Sequence, residues 1–168
     1  MTILNAYAKS NNVDLKKVKG SVTADPIAFL AWNSRIPVKI KFTFDRMKIA
    51  LDWTKEYAPN LKSIGISGIP YSCAGANAVQ ELVYVMATGV EYLNQLIDRD
   101  VGVDDTTQNM RFTFSIGSFY FMEIAKLRAA RVWNREGAVA WGEGEEKGRR
   151  GSAVDSRAIG SSVEQRGN

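Results

Sequence analysis

Two stretches of this chain repeat one plan, a short β-type run, a glycine-bearing turn and a long helix, and that plan limits the folds open to it. Leu61–Ser67 (LKSIGIS) enters the turn Gly68-Ile69-Pro70, and a helix begins near Gly75. Its apolar positions Val79, Leu82, Val83, Met86, Val90, Leu93 and Ile97 recur at spacings of three and four, which assigns them to one buried face. Arg111–Ile116 (RFTFSI) then alternates Phe112, Phe114 and Ile116 with polar residues, and a second helix is expected from about Ser118 to Arg135 with Ser118 as its cap. Strand, helix, strand, helix with connections this short predicts α/β with parallel strands.

Upstream, Asp25–Trp32 reads as a short helix with Asp25 as N-cap and Pro26 at the first position, where a missing N–H costs little. Val38, Ile40 and Phe42 alternate with Lys39 and Lys41, the pattern of a short half-buried strand. Thr43 or Asp45 caps a helix through about Tyr57, stopped by Pro59. Gly102 ends the long central helix, and Asp104/Asp105 introduce a short turn or helix. Phe112, Phe114, Phe119, Tyr120 and Phe121 are expected in the core. Glu123, Lys126 and Arg131 are expected on a solvated helix face or holding neighbouring helices together, in preference to an acyl-phosphate or nucleotide contact.

Composition narrows the chemistry further. The sequence contains no histidine, which eliminates Ser-His and Cys-His nucleophile systems, a His-ligated zinc and a His beneath a cobalt ion within this chain. The single cysteine, Cys73, excludes an intrachain disulfide and a thiolate cluster. It lies in a turn near a helix start, yet without a histidine to activate it a nucleophilic role is not expected. Asp98, Arg99, Asp100, Asp104 and Asp105 lack the alternating ligands and terminal Glu of a calcium loop, so no metal is expected. Gly65-Ile66-Ser67-Gly68 lacks the Lys and spacing of a phosphate-binding loop.

A net charge of +4 suggests an anionic partner, but Lys16–Lys17–Lys19 and Lys39–Lys41 form no dense basic stripe with interleaved aromatics. No nucleic-acid partner is expected. No apolar run approaches the roughly 20 residues that span a bilayer, and Met1–Ser10 lacks a signal-peptide core, so a soluble chain in the reducing cytoplasm is expected.

Ile66–Leu93 (ISGIPYSCAGANAVQELVYVMATGVEYL) and Phe121–Arg131 (FMEIAKLRAAR) resemble the methylmalonyl-CoA mutase family of adenosylcobalamin-dependent acyl-CoA mutases, within the barrel domain that encloses the acyl-CoA. The resemblance runs over roughly residues 2–133 and is weaker towards the amino terminus. It implies part of a (β/α)8 barrel, since a whole one needs about 250 residues.

Catalytic relatives carry a Tyr-His pair on the loop after the strand matching Leu61–Ser67, where this chain has Ile69 and Pro70. The Tyr assists cobalt–carbon homolysis and the His bonds the thioester carbonyl; neither Ile69 nor Pro70 has a side-chain donor. The motif Gly68, Tyr71, Ala74, Gly75, Ala76 resembles the family's small, non-catalytic subunit, so Tyr71 marks subunit type in preference to a displaced catalytic tyrosine. In Lys19–Asp25 (KGSVTAD) the substrate-facing Gln of catalytic members falls on Thr23, and their carboxylate-binding Arg falls on Asn33. Arg35 stands two residues late. Losing all four polar groups removes the hold on a carboxylate and on a developing radical.

The resemblance therefore implies a small-subunit-like segment that supports a catalytic large subunit in a heterodimer. That partner would bind adenosylcobalamin and acyl-CoA, and the complete enzyme would interconvert methylmalonyl-CoA and succinyl-CoA. The cobalamin lower-ligand motif Asp-x-His-x-x-Gly is absent from the sequence. Two alternatives stand beside this reading. One is the substrate domain of a divergent mutase using Tyr71 and Arg35; the other is a non-functional truncated fragment. A domain boundary is expected at 135/136, because 136–168 has no Leu, Met, Phe or Tyr and buries too little to offset its ordering entropy. That tail is read as disordered, and the break in pattern after Trp133 as a frameshift or truncation, with a natural short paralogue as the alternative.

Overall fold

The computed structural model describes residues 2–141. It begins with helix α1 (Thr2–Ser10) and a 3-10 turn (Leu15–Lys17), then alternates three strands with helices. Strand β1 (Gly20–Ala24) is followed by α2 (Pro26–Asn33) and α3 (Ile40–Tyr57); β2 (Leu61–Ser67) by α4 (Ile69–Cys73), α5 (Ala78–Ile97) and α6 (Val103–Asn109); β3 (Met110–Thr113) by α7 (Tyr120–Trp141).

The sheet order is β1-β2-β3 and both pairings are parallel. Gly20 pairs with Leu61, with an irregularity between Ser21 and Ala24; Ile64 to Ser67 run beside Met110 to Thr113 without a break. The fold is thus α/β with parallel strand–helix units. Among the described residues the sheet is open and closes no barrel.

Ile64 and Ile66 on β2, with Met110 and Phe112 on β3, are buried against α3 and α5. From α3 come Phe44, Met47 and Leu51, and from α5 Val85, Met86, Tyr92, Leu93 and Leu96. Gly89 lets α5 close onto the sheet, for a Cβ there would stand 3.3 Å from Ile66 Cδ1 and 3.4 Å from Phe112 Cε1.

Several expectations are corrected. Val38–Phe42 is not a strand: α3 starts at Ile40, ahead of the expected caps Thr43 and Asp45, and Val38, Ile40 and Phe42 are exposed. The buried face of α3 is Phe44, Met47, Leu51 and Thr54, a helical spacing that the alternation upstream obscured. The strand pairing with β2 is instead Gly20–Ala24. On α5, Val79, Val83 and Ile97 face outward, and the buried face turns towards Glu81, Val85, Thr88, Tyr92 and Leu96. Phe112 and Phe114 are in the core as expected, but Phe119, Tyr120 and Phe121 are 81%, 69% and 84% exposed. Helix α7 runs on to Trp141; the rest of the expected disordered segment, 142–168, lies outside the described residues.

Candidate functional site

Parallel pairing brings the carboxyl ends of all three strands to one edge of the sheet, the place where α/β proteins gather loop side chains. Two carboxylates tie those ends together. Asp25, leaving β1, caps α2 through Oδ1, which accepts the Ala28 amide at 3.0 Å, while Oδ2 accepts the Ser67 amide at the end of β2 at 2.7 Å. Tyr92 of α5 donates its hydroxyl to Asp25 Oδ1 at 2.6 Å and accepts the Ile27 amide at 2.9 Å. Burial outweighs these hydrogen bonds and pushes the Asp25 carboxyl above its ordinary range. The same burial, with the Asp25 charge beside it, pushes the Tyr92 phenol strongly up, so its proton stays on and is donated.

The second carboxylate, Glu81 on α5, is buried. Its Oε1 accepts both the amide and the hydroxyl of Ser115, each at 2.8 Å, just beyond β3. Its Oε2 lies 2.7 Å from Lys126 Nζ of α7, and Lys126 also donates to the Ser115 carbonyl at 2.8 Å and lies 2.5 Å from Glu123 Oε2. Residue 68 has to be glycine for this: a Cβ would sit 2.5 Å from Glu81 Oε1. The Gly68 amide meanwhile donates to the Thr113 carbonyl at 2.8 Å, joining the ends of β2 and β3.

Around Gly65 the neighbouring strands contribute polar side chains. Gly65 lies under Thr23, whose Cβ would be only 2.4 Å from a Cβ on residue 65. Arg111, the register partner of Gly65, reaches across β2 to donate to the Ser21 hydroxyl of β1. A bare residue 65 thus lets a threonine from one neighbouring strand and an arginine from the other share one face of the sheet.

Thr23 is therefore placed at the carboxyl end of β1, exposed beside Gly65. Ile69 and Pro70 form the first turn of α4, half-buried directly after β2, and α4 packs against α2. Asn33 ends α2 with its amide donating back to the Phe29 carbonyl at 2.9 Å, and Arg35 is exposed just beyond Ser34, whose φ of 58° caps the helix. Tyr71 turns onto α5: its hydroxyl is 3.0 Å from Thr88 Oγ1 and its ring 5.3 Å from that of Tyr84. Glu123 and Lys126 tie α7 to α5 through Glu81, one of the two structural roles expected for these charges.

Sequence reasoning identified Asp25 as a helix cap and missed its bond to Ser67; it passed over Glu81, Ser115 and Tyr92. A glutamate within an apolar helix was the available signal for Glu81, since a buried carboxylate requires a partner. Nothing local announced Lys126 as that partner. Among the described residues no group of three or more His, Cys, Asp or Glu is placed to hold a metal ion, and no helix is long and apolar enough to cross a membrane.

A family model described as methylmalonyl-CoA mutase matches residues 1–153, past the point near Trp133 where the likeness was expected to stop. The methylmalonyl-CoA mutase small subunit of Porphyromonas gingivalis is 36% identical over 135 residues, 79% of this chain and 21% of the relative. That of Streptomyces virginiae is 35% identical over 139 residues, 82% of this chain and 22% of the relative. The P. gingivalis large subunit is 34% identical over 119 residues, 70% of this chain and 16% of the relative. The chain thus spans 16% to 22% of the length of these three, and identity does not separate one subunit type from the other. On the breadth of the family match, this chain belongs to the methylmalonyl-CoA mutase family.

Proposed function

We propose that this chain is a segment of a mutase barrel of the small-subunit kind, supporting a catalytic large subunit and supplying no reacting group itself. The family uses adenosylcobalamin. The observation that carries the reading is the loop after β2. At the carboxyl edge of the sheet it offers Ile69 and Pro70, whose side chains neither donate nor accept hydrogen bonds. Tyr71, the one phenol on that loop, is engaged with Thr88 on α5.

These residues do not fit adenosylcobalamin as a catalytic first layer. Ile69 and Pro70 give no polar side-chain contact at the loop after β2. The partner subunit is therefore assigned the cofactor, the acyl-CoA and the methylmalonyl-CoA/succinyl-CoA rearrangement, in the cytoplasm. This chain's residues have three tasks: Asp25 and Glu81 hold the strand ends in register, Gly65 leaves room for Thr23 to lie over β2, and α7 presents surface.

The test is co-expression with a methylmalonyl-CoA mutase large subunit. A stable heterodimer is expected, with turnover that survives Tyr71→Phe and Arg35→Ala in this chain. The match to large subunits at similar identity favours one other reading, a divergent substrate domain that works with a separate cobalamin-binding chain. Turnover of a branched acyl-CoA by this chain with such a partner, abolished by Tyr71→Phe, would establish that reading and end the supporting-subunit one.

A further inference from the structure

We propose that the buried Glu81–Lys126–Glu123 cluster is a latch through which the seating of α7 sets the conformation of the loop Gly68–Cys73. The inference concerns coupling within the chain and holds whether or not that loop meets a substrate.

Each link is a contact between different elements. Lys126 lies on the second turn of α7 with its side chain 2% exposed, and its ammonium touches Glu81, Glu123 and the Ser115 carbonyl. Glu81, equally buried on α5, carries that charge to the Ser115 amide and hydroxyl beyond β3. The same carboxylate presses on Gly68, where the absence of a Cβ brings Glu81 and Val85 against the backbone. Gly68 in turn is the foot of the loop: its carbonyl accepts the amides of Tyr71 and Ser72, both at 3.1 Å, and starts α4.

Charge makes this coupling stiff. A lysine and a glutamate this deeply buried cannot separate without leaving a desolvated charge unpaired, so α7 cannot shift while Glu81 stays in place. If Glu81 follows Lys126, it withdraws from Gly68 and Ser115 together. An apolar contact in the same position would let α7 slide with little consequence for the loop. The exposed first turn of α7, with Tyr120, Phe121 and Met122 and with Phe119 just ahead of it, lies one turn before the latch, so whatever seats that turn acts on the loop.

Hydrogen exchange on the full chain tests the coupling. Lys126→Met keeps the length of the side chain and removes the charge; exchange at the amides of Tyr71, Ser72 and Ser115 is expected to accelerate about tenfold or more, with the centre of β2 and α5 from Tyr92 to Leu96 unchanged. Leu127→Ala is the control, because it loosens α7 against the core and leaves all three charges of the cluster in place, and the loop is expected to keep its protection. Acceleration confined to α7 in Lys126→Met, or equal acceleration of the loop in Leu127→Ala, would overturn the latch. Should Lys126→Met fail to fold, Glu123→Gln weakens the same cluster more gently; faster loop exchange supports the proposal and unchanged loop exchange ends it.

Discussion

Tyr92 Oη lies 2.6 Å from Asp25 Oδ1, so a phenol in the second half of α5 completes the capping of α2 across 67 positions of sequence. The hydroxyl is fully used, donating to the carboxylate and accepting the Ile27 amide. Tyr92→Phe keeps the ring, which packs edge-on against Phe44, and removes only that oxygen. Two partly buried polar groups lose a partner at once, and a loss of about 1–3 kcal/mol is expected. Urea denaturation of the full chain measures it; a midpoint shift below that of a typical surface substitution would show that water replaces the hydroxyl.

The pH dependence at this junction has a definite sign. The Asp25 carboxyl is raised above 3.8, chiefly by burial, so the folded chain binds its proton more tightly than the unfolded chain. The associated stability is fully present below 3.8 and is lost as pH rises through the higher folded value. Relative to Asp25→Asn, which does not titrate, the native chain is expected to gain stability as the pH is lowered from neutral towards 3.8. Urea midpoints of the pair across that range read the difference, and a relative loss on acidification would contradict it.

Glycine at two positions is a steric requirement, since neither Gly65 nor Gly68 has a positive φ. Gly65→Ala drives a Cβ to 2.4 Å from Thr23 Cβ, a clash with the base of a side chain and not with a movable tip. Destabilisation of about 1–3 kcal/mol is expected. Adding Thr23→Gly removes the opposing atoms, so the double variant should recover part of the loss beyond additivity. Strict additivity in a thermal or urea double-mutant cycle would mean that β1 shifts away and the two residues no longer meet.

The parts of the fold legible in sequence are those whose signals are local. Asp25-Pro26 announces α2 because capping chemistry involves only adjacent residues, and LKSIGIS announces β2 because both its faces are covered. Val38–Phe42 misleads because five alternating residues also suit the entry to a helix whose periodic face begins later, at Phe44. The face of α5 is misplaced for a different reason: its interior includes Glu81, Thr88 and Gly89, buried by an ion pair, a hydroxyl contact and close packing, none of which counts as hydrophobic. The proposed substrate-facing positions Thr23, Asn33, Ile69 and Pro70 rest on family likeness alone. Their register across strands, and the Asp25–Ser67 and Glu81–Ser115 ties that set it, depend on contacts 34 or more positions apart.

The five aromatics from Phe112 to Phe121 separate into two classes that sequence treats alike. Phe112 is 5% exposed between α5 and the sheet, whereas Phe121 is 84% exposed on the first turn of α7. Phe112→Ala is expected to cost about 3–5 kcal/mol through lost burial and a cavity under Gly89 and Ile66. Phe121→Ser should change the stability of this chain by no more than about 0.5 kcal/mol, because it removes almost no buried area. The same substitution in the proposed heterodimer separates packing within the chain from contact with a partner. If α7 seats against a partner, Phe121→Ser weakens the complex while the isolated chain stays as stable as before; a fall in the stability of the isolated chain would instead return Phe121 to the core.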